Sequence, residues 1–592
     1  MTWETKAFTS FSLGMKRSVP MYKLEDGYSP FIENMIVSQG TLVTDTGYTV
    51  LGTAPRGVPR LVYMFKKKDG TAELLLITNA TLYKWAVGEW RYVQGNVGTL
   101  VDNVGGYAAG SLSINVDDIA GFSDGDYIGI TLDNGTQHRT TINGTPSGTT
   151  IVLADGVPTG RTIPDNAPLI QAVVFNGTEN LQPSAATFPA YDVVIITNGV
   201  DNVKRYDGAD CIDVPNLVSA VGGTNCLAKK VLVQNNKVLL YGMTENSVVL
   251  PQRVRWCATG DYTDWTTALD AGFEDLYSDE GEIITAEKLG SYVVIYKENC
   301  RIRQEYVGTD STIIYTFTTT LTNKGIVGPN AVANLGSAHV VLTKDGMDVY
   351  EAGYTTTELG AELRSLIFEN TETGLNQARR HMSYVRNVLT KGEIWFFLPM
   401  GNSDYASTLW RYNVREKSWT TRKFANNMYG VEGLDYVQIT AWAEAAGTWE
   451  DWSLISWNDP SLKANKEQLF FYGLTGEGVY QVYAYDFEAT SDAGVGISGI
   501  VWTPEVIQDI GKIRINRLLV SCKGTEITVE YSTDKGLTWQ LFGIVTPVST
   551  TDYYLSSIFR QVVCDRLIFR FSSNTAFGID WMEFKYMVEG AF

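Results

Sequence analysis

Histidine is almost missing from this chain of 592 residues: there are three, His138, His339 and His381, in three separate segments. Cysteine is nearly as scarce, with six residues and no CxxC pair. These absences exclude a zinc site of ordinary ligand spacing and a disulfide framework, and leave the thiols as buried, inert side chains. No GxSxG, HExxH or phosphate-cradling GxxxxGK[ST] sequence occurs. No run approaches the 18 apolar residues a membrane helix needs, and the opening Met1-Thr2-Trp3-Glu4-Thr5-Lys6 lacks the apolar stretch of a signal peptide, so assembly in a cytoplasm is expected. Positive charge is also in deficit. Forty-seven Lys and Arg against sixty-six Asp and Glu give a formal charge of −19, which argues against gripping a phosphate backbone, because that binding rests on cations displacing counterions. A surface of the same sign as DNA suits transient, non-specific contact in which a moving polyanion is not trapped.

Extended 3.6-residue periodicity is lacking too. Only residues 358–368 and 374–384 read as helical, and both are short. What is present is a worn repeat of an apolar strand, a polar turn and a strand ending on an aromatic. The pair Leu76-Ile77-Thr78-Asn79 with Tyr83-Lys84-Trp85, and Ile195-Ile196-Thr197-Asn198 with Lys204-Arg205-Tyr206, shows it best. Taking Ile77, Ile196, Leu240, Ile295, Leu342, Phe397 and Phe471 as markers, the steps are 119, 44, 55, 47, 55 and 74 residues. That period belongs to propeller blades. The expected fold is all-β: a β-propeller of about six to eight irregular blades, with an inserted small β-barrel or sandwich and a C-terminal β-sandwich-like region.

The first step is too long by one small domain. Removing residues 97–171 turns 119 into 44, and that stretch carries eight acidic residues against Arg139 and Arg161. The chain therefore divides into an N-terminal arm (1–50) that would wrap the ring or a neighbour, a propeller (51–96 and 172–490), the inserted acidic domain (97–171), and a C-terminal sandwich or closing blade (491–592). The acidic insert is expected to touch a neighbouring protein.

The sharpest local motif runs from Ser532 to Trp539 and matches the Asp-box SxDxGxTW. It reads as a hairpin device in which Ser532, Asp534, Gly536 and Trp539 are folding residues. A sialidase would need several such boxes and an arginine cluster. Arg301 and Arg303 lie near Glu298, Glu305, Tyr296 and Tyr306, but no spacing singles them out. Asp117, Asp118, Asp124 and Asp126 lack the order of a calcium loop. No catalytic, cofactor or metal residue is assigned, and the chain is read as non-enzymatic. Aromatics such as Trp256, Trp395 and Trp419 fit packing between blades, with a glycan surface as the alternative for the cluster at 442–457.

Several segments together resemble the tail nozzle or hub proteins of short-tailed bacteriophages, also called packaged-DNA stabilisation proteins. They are Phe31-Ile32-Glu33-Asn34-Met35 with Gly40-Thr41-Leu42, Gly325-Ile326-Val327-Gly328-Pro329-Asn330 with Leu342-Thr343-Lys344-Asp345-Gly346-Met347, Leu409-Trp410-Arg411-Tyr412-Asn413 ending in Trp419, and the Gly-Phe-x-x-Gly-Asp core of the insert. The resemblance implies a virion tail protein, assembled in the host cytoplasm as a homo-hexameric ring. That ring would lie below the portal and its adaptor (the head-to-tail connector), with a tail fibre, spike or needle at its side or tip. Its channel would retain packaged DNA and conduct it at ejection, without catalytic residues or cofactors. A receptor-binding adhesin recognising host glycan and a propeller glycosidase are the alternatives.

Overall fold

In the computed structural model each of the seven apolar markers lies in the second strand of its own four-stranded antiparallel blade. The structure describes residues 3–178, 180, 182–266, 270–277, 281–308, 313–369, 372–436, 466–475, 477–486, 489–508 and 511–589. These second strands are buried on both faces. Val193–Thr197 and Glu393–Leu398 are buried at every position, which is why they read as continuous apolar runs rather than alternating ones.

Blades 1 to 5 begin with Pro59–Lys66, Ser184–Phe188, Cys226–Gln234, Ile283–Leu289 and Val332–Asn334. Blade 6 is Tyr384–Val388, Glu393–Leu398, Ala406–Asn413 and the first half of Ser418–Tyr436. The second half of that 19-residue strand starts blade 7, which continues through Lys466–Leu474 and Tyr480–Tyr485. The opening strands of successive blades abut in order, and that of blade 7 abuts that of blade 1, so the ring closes. The fold expected from the repeat is a β-propeller, and the described residues form seven blades. Aromatic and aliphatic side chains seal the joints, as where Phe470, Tyr472 and Val482 of blade 7 meet Val62, Leu74 and Tyr83 of blade 1.

Residues 94–172 carry two further small sheets around their own core of Ile114, Ile128, Ile130, Ile151 and Leu169. This insert leans on the outer strand of blade 1, where Tyr92 N donates to Gln137 Oε1 (2.6 Å) and Gln137 N donates to Glu89 Oε1 (2.5 Å). Its two ends leave the blade side by side, Gln94 pairing with Ala172 and Val173 N donating to Val93 O (3.1 Å).

The N-terminal segment departs from expectation. Rather than an arm laid around the ring, it is woven into the sheets of its own chain. Glu4–Phe8 and Thr41–Thr44 both pair with Phe577–Glu589, Ile32–Glu33 joins Gly499–Trp502, and Tyr48–Val50 becomes the fourth strand of blade 7 beside Tyr480–Tyr485. The C-terminal region is a sandwich, with one sheet of Tyr554–Cys564, Lys512–Gly524 and Phe577–Glu589 and a second of Gln540–Val545, Ile527–Ser532 and Arg566–Ser573. Ring closure therefore comes from residues 48–50, not from the C-terminal region. The reason is that residues 4–50 are not the polar chain their turns suggest: Phe8, Phe11, Met15, Ile32, Met35 and Leu42 are all buried. Of the two expected helices, the first is two short turns, Ala361–Leu363 and Arg364–Ile367, and the second shrinks to Arg380–Met382. Among the described residues no helix is long and apolar enough to cross a membrane.

Candidate functional site

Two polar assemblies stand out: the axial cavity of the ring and the ion cluster that closes it. The axial cavity has a volume of about 490 Å³ and is walled by opening strands, with Tyr63, Lys66, Glu287, Asn334, Arg386 and Glu432 among its lining residues. Arg386 grips Glu432 with a fork, Nη2 to Oε1 at 2.6 Å and Nε to Oε2 at 3.2 Å, and also donates to Val385 O. Although burial opposes it, Glu432 holds the Arg386 guanidinium above its usual pKa. Lys230 reaches Glu287 at 3.7 Å, and Glu467 accepts from the backbone N and the hydroxyl of Thr390. The cavity is the size of a small-molecule pocket, too small to pass duplex DNA, and its Arg386 and Glu432 are tied to each other.

The closing cluster centres on Asp45, which is fully buried in the turn before Tyr48–Val50. Its carboxylate accepts from Arg411 Nη1 at 2.7 Å and Tyr485 OH at 3.1 Å, with Arg422 Nη1 at 2.9 Å and Lys391 Nζ at 3.4 Å. Arg422 continues to Asp492 Oδ1 (2.5 Å), and Arg411 also donates to Met35 O (3.0 Å). Burial alone would raise the Asp45 pKa, but Arg411, Lys391 and Arg422 overcome it and hold the carboxyl far below the usual range. Asp492 goes the other way: burial pushes it up to about 6 against the pull of Arg422. The cluster thus joins the N-terminal segment, blades 6 and 7 and the first strand after the propeller. Sequence reading missed it. Arg411 and Arg422 sit in strand-forming runs at positions that face inward, and a cation facing inward needs a buried acid; that was the available signal.

The Asp-box residues do come together. The Ser532 hydroxyl donates to Asp534 Oδ1 (2.6 Å) and accepts from Gly536 N (2.8 Å), while Asp534 accepts from the backbone N and hydroxyl of Thr538 at 2.9 and 2.5 Å. These bonds, with Ser532 and Thr538 first, draw the Asp534 carboxyl down to about 2. Gly536 has φ +86°, and a Cβ there would lie 2.8 Å from the Trp502 ring. Trp539 packs on Trp502 at 4.8 Å and carries Arg570 over its face at 4.4 Å.

The arginines weighed for a sialidase do not converge. Arg301 is buried against Asp348 (3.0 Å) and the Tyr350 ring, whereas Arg303 pairs with Glu305 at 3.8 Å and lies over Tyr292. Tyr296 OH meets His339 Nδ1 at 2.7 Å, and the His339 Nε2 lies 2.8 Å from Lys288 O. Acids of the insert cap turns: Asp118 accepts from Ala120 N, Asp124 from Gly144 N, and Asp126 from Ser123 N and Gln171. Among the described residues no group of three His, Cys, Asp or Glu is arranged to hold a metal ion. All six cysteines are buried and free, and burial pushes Cys211 up to about 12. Trp395 stacks on Phe471 within blades 6 and 7; the aromatic cluster at 442–457 lies outside the described residues.

No family model matches the chain, and no curated protein is similar to it. Among solved structures, PorZ of Porphyromonas gingivalis, an essential bacterial surface component of the type-IX secretion system, is similar at 10% identity and TM-score 0.31, with 84% of this chain matched. The match spans 46% of the PorZ chain. An exo-β-1,3-galactanase of Phanerochaete chrysosporium is similar at 9% identity and TM-score 0.21, covering 84% of this chain and 97% of the enzyme. AztD from Citrobacter koseri is similar at 10% identity and TM-score 0.25, covering 73% and 96%. Such distant likenesses carry nothing about activity; the propeller is defined by its own sheet topology.

Proposed function

We propose that this chain is a structural subunit of the tail nozzle of a short-tailed bacteriophage: a non-enzymatic propeller that, repeated six-fold, walls the channel below the portal and its adaptor. The conduit runs between subunits, since the axial cavity of a single propeller is too small and its Arg386 is tied to Glu432. The observation that carries the reading is where the charge lies. Arg255, Arg301, Arg411 and Arg422 are buried on carboxylates, whereas Asp102, Asp117, Asp118, Asp124 and Asp133 of the insert are exposed. Cations spent inside and acids left outside give a surface that repels phosphate and lets DNA slide. The projecting insert, which repeats nothing in the blades, then serves as the contact to adaptor, fibre or neighbouring subunit.

Cryo-electron microscopy of virions tests this, together with mass measurement of the purified chain with and without its adaptor. The expected result is a six-fold density for this chain around the axial channel, with acids toward the lumen. A position off the axis, or a basic lumen, overturns it.

A further inference from the structure

The first sheet of the C-terminal sandwich runs Tyr554–Cys564, Lys512–Gly524, Phe577–Glu589, Glu4–Phe8, with every neighbouring pair antiparallel. Thr41–Thr44 also pairs with Phe577–Glu589, at residues 578–579, and carries Met35–Ser38 beyond it, whereas Glu4–Phe8 pairs with residues 582–586. Two of the sheet's outer strands, Tyr554–Cys564 and Glu4–Phe8, have no second strand partner among the described residues. Open edges of this kind present unpaired N–H and C=O groups and are usually short, charged or covered. Here one is 11 residues long, and residues 536–564 hold only Asp552 and Arg560 as charges. Tyr554, Leu555 and Phe559 on it are 48%, 58% and 73% exposed. Its register to Lys512–Gly524 is unbroken over residues 554–559, and an irregularity follows between Phe559 and Val562. The regular stretch is thus six residues long, against five in Glu4–Phe8.

We infer that copies of this chain join edge to edge, Glu4–Phe8 of one copy adding as a strand beside residues 554–559 of the next. Three observations favour a second copy over another occupant. The two edges lie on opposite sides of one sheet, and their directions make the new pair antiparallel like every pair already in it. Both are nearly neutral, Glu4 being offset by Lys6 and the other strand carrying one arginine, so two subunits of −19 each meet where repulsion is least. Each offers an exposed aromatic, Trp3 at 45% and Phe559, and Phe559 already rests on Arg517 at 5.5 Å. Such a contact is heterologous, and repeated it closes a ring or grows a filament. The inference rests on the ring proposed above and supplies its joint.

The test uses the full chain carrying Lys6→Cys and Ser557→Cys and a short bis-maleimide, since the six native thiols are buried. A ladder of cross-linked multimers is expected for the double variant and not for either single variant. Adding Phe559→Glu or Leu555→Glu, both surface changes that leave the core intact, should abolish the ladder. No ladder at any concentration, or one that survives both glutamates, overturns the inference. Cross-links in a chain that virions do not contain retain the joint and defeat the nozzle reading; virion rings unchanged by both glutamates defeat the joint alone.

Discussion

Replacing Asp45 with Asn removes one charge from the centre of the propeller's closure. In the native cluster three cations, Arg411, Arg422 and Lys391, face two carboxylates, Asp45 and Asp492. Without Asp45, Arg422 keeps its carboxylate partner Asp492, and Arg411 keeps only Met35 O among the acceptors named for it. Breaking a buried ion pair by losing one partner costs about 3–5 kcal/mol, because the remaining charges stay desolvated. The amide oxygen of Asn still accepts a hydrogen bond, which places D45N at the lower end, about 3 kcal/mol, and Asp45→Ala above it. The cost should fall on the strands that the cluster ties down. At 1.36 kcal/mol per tenfold, amide exchange in Tyr48–Val50 and the facing residues 483–485 should accelerate by roughly a hundredfold or more. Blades 2 to 4 should keep their native protection. Hydrogen exchange read by mass spectrometry separates these regions. A change below about 1 kcal/mol at the closure, or equal acceleration in every blade, would refute the assignment of Asp45 as the tie.

Three further outcomes follow from the same geometry. Asp492 has its carboxyl raised from an ordinary 3.8 to about 6, so the folded chain binds an extra proton between those values, and stability from this group is present at low pH and lost as pH rises through 6. Asp492→Asn should therefore flatten the dependence of Tm on pH between about 4 and 6, by the slope due to about one proton, while leaving it unchanged above 7. Gly536→Ala forces a Cβ to within 2.8 Å of Trp502 at a φ of +86°, and should cost about 1–3 kcal/mol, measured by urea unfolding followed by intrinsic tryptophan fluorescence; an unchanged midpoint would mean the turn is not held by this packing. Excising residues 97–171 and joining the adjacent ends should leave the propeller's circular dichroism and Tm intact. Native electrophoresis should show the loss of six net negative charges, −19 becoming −13, as eight acids and two arginines leave.

The blades were legible because each second strand is buried on both faces and so writes an uninterrupted apolar run into the sequence. Ile77, Ile196, Leu240, Ile295, Leu342, Phe397 and Phe471 are all such positions. The Asp-box hairpin was legible because its bonds span at most four residues. The clasp and the placement of residues 4–50 were not. Asp45 meets Arg411 across 366 residues, and Ile579 pairs with Leu42 across more than 500. Partners so distant leave no local period, and strands of two to five residues are too short for alternation to stand out. Residues 358–368 misled for the opposite reason. Their spacing suits a helix, but Thr356–Leu359 is recruited as the last strand of blade 5, leaving room for only two short turns.

Weaving the N-terminal segment into strands near residue 580 has a consequence for how the molecule is made. Phe8, Phe11, Ile32 and Met35 leave the ribosome early, yet the strands that bury them are synthesised hundreds of residues later. At about 5–20 residues per second the wait is roughly half a minute to two minutes, during which blades 1 to 6 can form in turn while Tyr48–Val50, the outer strand of the seventh, waits for Lys466–Leu474 and Tyr480–Tyr485 to be made. Folding is thus gated by synthesis of Phe577–Glu589, and the nascent segment must stay soluble, or be shielded by a chaperone, until its partners arrive. On crowded polysomes the same exposed strands can pair with the finished C-terminal sheet of a neighbouring chain, so exchange of this segment between copies is the characteristic misfolding risk of the architecture.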